Sequence, residues 1–267
     1  MNIFDIILVK PLINLLIFFY SVLPIHDFGL AIILVTVVIR AVLWPLQGQT
    51  LRSQKELNKL QPEIKKISDK YKNDPKKIQE LTLELYKEKE VNPLSSCLPS
   101  LIQIPFLLAL FYALIKFRDP AFLKLANPNT GLPGYLYTWV KDLGFVKSAL
   151  TGTFPTTLLG LVDLSKANIV FALLAGGTQY IQTKLMMPAK TPDSGGAAQT
   201  MNFMLYMFPA LTVFIGLTLP SALPLYWIVT SAAAALQQYL VIHHDVEGLE
   251  EAVLVPEKKV KKPKSEK

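Results

Sequence analysis

FGLAIILVTVVIRAVLWPL, residues 28–46, decides the fold. The run contains no acidic side chain. At about 1.5 Å per residue it is long enough to cross a hydrocarbon core roughly 30 Å thick. Arg40 lies well inside it, and an isolated arginine at the centre of a membrane helix costs about 2.5–3.5 kcal/mol on insertion scales. Thr36, one turn earlier, shares its face. The guanidinium therefore needs water, a partner or a short route to the headgroups. Two readings stay open here: a wet intramembrane site, or an arginine snorkelling past Leu46, roughly 9 Å along the helix.

Outward from this span, apolar and charged residues fall in separate blocks. Of 267 residues, 51% are hydrophobic, with a mean hydropathy of +0.36. That profile belongs to a polytopic membrane protein rather than to a large soluble core. Residues 1–27 read as an N-terminal interfacial helix broken near Pro11, because Lys10, Pro11 and Asn14 interrupt the apolar run; a further span is the alternative. Residues 47–97 read as an antiparallel helical hairpin. Leu57, Leu60, Ile64, Ile67 and Tyr71 keep a heptad seam, KNDPKK breaks it at residues 73–75, and Ile78, Leu81 and Leu85 resume it. Further spans fall at 98–115, 167–187, 201–219 and 221–242. Between them, 116–166 reads as a long loop with turns at 127–129 and 131–134, and its Tyr135, Tyr137 and Trp139 have the character of an interfacial belt. Residues 188–200 form a short loop, and the basic tail 243–267 is expected to be disordered. The expected fold is an all-α polytopic membrane protein: a five-helix transmembrane core, a helical hairpin and an N-terminal interfacial helix.

Charge orients this arrangement. Lys and Arg total 27 against 20 Asp and Glu, a net charge of +7. Eighteen of the cations lie in 47–97, 188–200 and 243–267, and seven in 1–27 and 116–166. Arg40 and Lys184 fall within spans. The positive-inside rule puts the hairpin and tail in the cytoplasm, the N-terminus outside and the C-terminus inside. Basic residues beside spans point to lipid headgroups or to a ribosome at the membrane, not to DNA. The single cysteine, Cys97, rules out an intrachain disulfide, and no cleavable signal peptide is evident.

Catalytic patterns are missing. The five spans hold no Asp or Glu, so Arg40 has no intramembrane counter-ion from its own chain. The buried carboxylates usual in proton-coupled transporters are missing with them. There is no phosphate loop and no His-Glu-x-x-His motif. His26, His243 and His244 flank spans and are not read as metal ligands, and Cys97 reads as a small residue at a helix start. No enzyme activity, metal or cofactor is expected. Polar residues inside spans remain: Thr36 and Arg40, Gln103, the group Thr178, Gln179, Gln182 and Thr183, then Thr230 and Ser231. They either line a wet groove or bond between helices, at about 0.6 kcal/mol per pair.

Several motifs act jointly: T-x-x-x-R followed by W-P-L in the first span, NPLSSCLPSLIQIPF at 92–106, the hairpin's D-P turn, LLGLVDLSK at 158–166 and LPLYWIV at 223–229. With them, residues 20–245 resemble the YidC, Oxa and Alb family of membrane-protein insertases, in the short bacterial form without a large extracytoplasmic domain. The resemblance implies five core helices around a groove open to the cytoplasm and lipid but closed outside. It implies a client-binding groove formed by Thr36, Arg40, Gln103, Gln179, Gln182, Tyr226 and Trp227, with the third and fifth spans as a sliding surface. Implied partners are nascent membrane proteins, the ribosome at the tail, the Sec translocon and targeting factors at the hairpin, and membrane lipids. The implied location is the bacterial plasma membrane. Two other classes stay open: a small ion or solute channel with Arg40 as an anion site, and a non-inserting assembly factor whose hairpin recruits partners.

Overall fold

The computed structural model describes residues 2–72, 74–92, 98–119, 122, 131–143, 156–187 and 196–254. The chain enters through one π turn, Asp5–Val9, that runs directly into α1, Lys10–Val22. The expected break near Pro11 is not there. Pro11 sits in the first turn of α1, directly after the π turn. The Lys10 N–H reaches back to the Asp5 carbonyl, so one widened turn absorbs the proline. Nor does α1 lie apart from the bundle. Val9, Ile13, Leu16 and Tyr20 are buried in the main core, and α1 packs along the next helix, α2, Phe28–Lys70.

The 43 residues of α2 form one helix, roughly 65 Å long. It passes without interruption through the expected boundary at 46/47 and carries Pro45 and Pro62 inside it. It stops where the sequence places the turn. Tyr71 closes it, and the Asp74 carboxylate accepts the Lys77 N–H at 3.0 Å to begin α3, Pro75–Glu88. Leu60 and Ile64 of α2 bury against Leu85 of α3, flanked by Ile67, Tyr86 and Val91, in a small cluster separate from the main core. Ile78 and Leu81, expected in the same seam, are only half-buried.

Next comes α4, Leu98–Arg118. The expected loop 116–166 is more structured than that reading. Its 131–134 turn belongs to a short helix, α5, Gly131–Tyr135, followed by α6, Thr138–Lys141. Two antiparallel strands, β1 (Thr157–Leu158) and β2 (Val162–Asp163), pair Thr157 with Asp163 and Leu158 with Val162. The fold is thus helical with one small ladder rather than all-α. The last three helices are α7, Ile169–Met186, α8, Gly196–Thr218, and α9, Ala222–Leu254. The helix of α9 continues well past residue 242, so 243–254 is not the disordered segment expected. Cys97, the turn at 127–129, residues 188–195 and the lysine-rich 255–267 lie outside the described residues.

The helices pack in a series: α8 on α7, α7 on α9, α9 on α2, and α1 with α4 on the other side of α2. Glycine permits the closest of these contacts. A Cβ at Gly176 of α7 would lie 2.3 Å from Val213 Cγ2 of α8. The molecule is a predominantly helical membrane protein. The stretches Asp5–Val22 and Phe28–Lys70 each contain an apolar window fit to cross a bilayer, with hydropathy 1.8 and 2.3.

Candidate functional site

One end of the bundle is tied shut by the β ladder. Asp27 is buried, and its carboxylate accepts two backbone N–H groups: Leu30 at 2.8 Å, which caps α2, and Leu159 at 2.5 Å, in the ladder's turn. The turn needs a left-handed backbone, with φ of 50° at Leu159 and 68° at Gly160. Its approach to α2 requires glycine, since a Cβ at Gly29 would sit 2.4 Å from Leu158 Cδ1. Beyond the ladder, the Lys166 and Leu164 carbonyls accept the Ser221 N–H at 2.8 Å and the Ala222 N–H at 3.1 Å. These are among the donors that the start of α9 would otherwise leave unpaired. The segment 156–166 therefore pins the first turns of two long helices together.

Asp163 organises the segment itself. Its carboxylate accepts the Ser165 hydroxyl at 2.6 Å and the Ser165 N–H at 3.0 Å, and pairs with Lys166 Nζ at 3.0 Å. The Ser165 hydroxyl, then Lys166, hold its pKa down to about 2. At the same end, buried Asn14 of α1 donates to the Tyr135 carbonyl at 2.7 Å and accepts the Tyr137 N–H at 2.6 Å. Lys10 and Lys116 lie over the Tyr137 and Tyr135 rings, 5.2 and 4.8 Å from their centroids. The aromatic segment is folded onto the bundle.

Burial along α2 changes sharply after about one-fifth of its length. Phe28, Gly29, Ala31, Ile32, Val35 and Thr36 are buried, and from residue 37 to 49 none is. Arg40 sits in this thinned part, half-buried, with Nη1 donating to Gln47 Oε1 at 2.7 Å. Its hydrogen-bond partner is therefore a neutral amide, two turns along on the same face. Thr36 lies just before the transition, and its hydroxyl donates to the Ile32 carbonyl of its own helix at 2.6 Å.

Across from Arg40, Tyr226 of α9 is buried and within electrostatic range of the guanidinium. The Tyr226 Oη accepts from Gln103 Nε2 of α4. Arg40, Gln103 and Tyr226 are thus brought together from three helices. Trp227 is half-buried against the main core. Gln179 faces another way: its Oε1 accepts the Thr212 hydroxyl of α8 at 2.9 Å. Gln182 is half-buried, and Thr178 and Thr183 donate to carbonyls of their own helix.

Three glutamines escaped the sequence reading. Gln47 carried a usable signal, since it lies seven residues after Arg40 and so on the same face. Gln237 and Gln238 carried none, because only the register of α9 against α2 buries them. Gln237 Nε2 donates to the Trp44 carbonyl at 2.9 Å. Chemically, the arrangement is a fixed cation with neutral neighbours in a poorly covered stretch of membrane helix. It attracts an anionic group and carries no nucleophile–base pair.

Comparison with known proteins identifies relatives of this chain. A family model described as "60Kd inner membrane protein" matches residues 18–247. A membrane protein insertase YidC of Clostridium tetani is 36% identical over 205 residues, covering 77% of this chain and 77% of the relative. The protein of that name from Fusobacterium nucleatum is 36% identical over 221 residues, covering 81% and 86%. The one from Syntrophus aciditrophicus is 32% identical over 237 residues, covering 88% of this chain but 36% of that longer relative.

Proposed function

The chain belongs to the 60Kd inner membrane protein family, and from that premise we propose that it inserts newly made membrane proteins into the bacterial inner membrane through a polar groove beside Arg40. Five spans enclose the groove: 28–46, 98–115, 167–187, 201–219 and 221–242. The ladder end faces outside, and α3 with the distal part of α2 projects into the cytoplasm, where Lys and Arg are concentrated. There the hairpin receives targeting factors or the Sec translocon, and the basic tail meets the ribosome. Thr36, Arg40, Gln103, Gln179, Gln182, Tyr226 and Trp227 form the client surface.

One observation carries this reading. Arg40 lies where α2 loses its packing, and its own hydrogen-bond partner is neutral. A client's polar tail crossing hydrocarbon costs several kcal/mol for each unsatisfied group. A hydrated half-channel shortens the dry path, and the cation draws acidic residues of the tail into it. The client's apolar helix then partitions into lipid, which supplies the driving force. No step needs a cofactor.

The test is insertion of matched clients that differ only in tail acidity, normalised to folded protein. Arg40→Ala lowers insertion of acidic-tailed clients roughly tenfold, the order of one charge interaction in partly hydrated surroundings. Neutral, very apolar tails lose less. Arg40→Lys keeps most activity because the charge is retained, and Arg40→Glu is worse than Ala. Equal loss for acidic and neutral tails would sink the electrostatic mechanism. Ion conductance in pure bilayers, without insertion, would favour a channel instead.

A further inference from the structure

Beyond Arg40 the same face of α2 leads to a second polar site. Arg40, Gln47, Leu51, Gln54 and Asn58 all project within about 60° of one another around the helix. At its far end lies a small half-open cleft of about 40 Å³, between Leu51, Gln54, Lys55 and Asn58 of α2, Leu185 and Met186 of α7, and Gln238 of α9. Most of its polar lining is satisfied. Gln54 Nε2 donates to Asn58 Oδ1 at 3.3 Å, and Asn58 Nδ2 donates to the Met186 carbonyl at 3.0 Å.

Gln238 is the exception. It is 3% exposed, and neither its Nε2 nor its Oε1 has a hydrogen-bond partner. Leaving a buried amide unpaired costs about 1–3 kcal/mol per group, so this residue is held ready for something that enters the cleft. The missing complement is specific. Nε2 needs an acceptor and Oε1 needs a donor, side by side. A peptide group supplies both, its C=O to Nε2 and its N–H to Oε1. A phosphate supplies acceptors alone and leaves Oε1 unpaired. Leu51, Leu185 and Met186 give apolar walls for the side chain beside that peptide group.

We propose that this cleft holds the backbone of the client polypeptide in extended form at the mouth of the groove, which rests on the insertase reading above. Position sets the spacing. Leu51 is about 17 Å along α2 from Arg40, and an extended chain advances about 3.3 Å per residue. The residue in the cleft is therefore about five positions, on the cytoplasmic side, from the acidic residue drawn to Arg40. Two anchors hold the client in register: the arginine reads charge, and the glutamine reads backbone whatever the sequence.

Photocrosslinking tests it, using the full-length protein in native-lipid vesicles and a ribosome-stalled client with one acidic tail residue. A benzophenone amino acid at Leu51 captures the client, with highest yield about five residues from the acid; moving the acid moves the captured position with it. Gln238→Met, of similar shape but without the amide, lowers that yield about fivefold, while capture from Trp227 is unchanged. Removing an unpaired amide does not weaken folding, and the unfolding midpoint of the variant checks this. If Gln238→Met fails to accumulate, Leu185→Trp fills the cleft from the opposite wall and gives the same loss. Capture at Leu51 that ignores both substitutions, or adducts to lipid only, overturns the proposal. Capture at Trp227 without capture at Leu51 overturns it while sparing the insertase reading; capture at neither position overturns both.

Discussion

At the ladder end of the bundle, Asp27, Asn14 and Ser221 are buried and each is hydrogen-bonded to a segment distant in sequence. At the other end of the same helices, Gln238 is equally buried and bonds to nothing. Arg40, between the two, bonds to a neutral amide of its own helix. The helix bearing Arg40 buries six of its first nine residues and none from 37 to 49. One end spends its polar groups on holding helices together. The other also bonds Asn58 and Gln237 across helices but leaves Gln238 unpaired.

The contrast can be broken from the sealed end. Asp27→Ala removes the acceptor of two backbone N–H groups, one of them a helix cap, and is expected to cost about 3 kcal/mol. The readout is the unfolding free energy of the detergent-solubilised protein; a loss under about 1 kcal/mol would mean that the ladder is not a fastening. By comparison, Gln238→Met at the open end costs nothing in the same assay.

A smaller effect comes from Gly29→Ala. Helix propensity favours alanine by about 1 kcal/mol, but the new methyl meets Leu158 at 2.4 Å for Cδ1 and 2.8 Å for Cβ. Overpacking of this kind costs about 1–3 kcal/mol, so a net loss near 1 kcal/mol is expected. A stabilised Gly29→Ala protein would show that the ladder can retreat freely from α2.

The smallest effect sharpens the comparison through pH. Asp163 has a folded pKa of about 2 against an ordinary 3.8. A lowered carboxylate pKa contributes stability that is present above about pH 4 and is lost as pH falls toward 2. The Asp163 side chain is 37% exposed, so screening keeps the contribution under about 1 kcal/mol. Asp163→Asn should flatten the stability profile in that window and lower stability by that same small amount near neutrality. A profile that stays steep would assign the acid sensitivity to other carboxylates.

Much of this was legible in the chain. The apolar run with Arg40 located the central span, and the D-P pair located the turn, because Asp74 caps a helix and Pro75 fits its first position. Heptad spacing found Leu60, Ile64 and Leu85. The errors have physical causes. Pro11 predicted a break, yet a first-turn proline with one π turn before it leaves the helix continuous. The change from apolar to charged residues after Leu46 marks a change of solvent, and the helix of α2 runs on through it. LLGLVDLSK carries little periodicity, so its ladder stayed hidden until Asp27 and the start of α9 were seen to bond to it.

By itself, then, the sequence determined what each segment must be: which stretches are too apolar for water, where a charge is stranded in them, and where capping residues stop a helix. Those are short-range matters of solvation and local hydrogen bonding. Only the tertiary structure decided which polar groups found partners. Gln179 and Gln238 are chemically the same side chain in two apolar helices of similar character. One is used up by Thr212 of the neighbouring helix and the other is left unpaired in a cleft, because the register of α9 against α2 and α7 sets what lies within 3 Å of each.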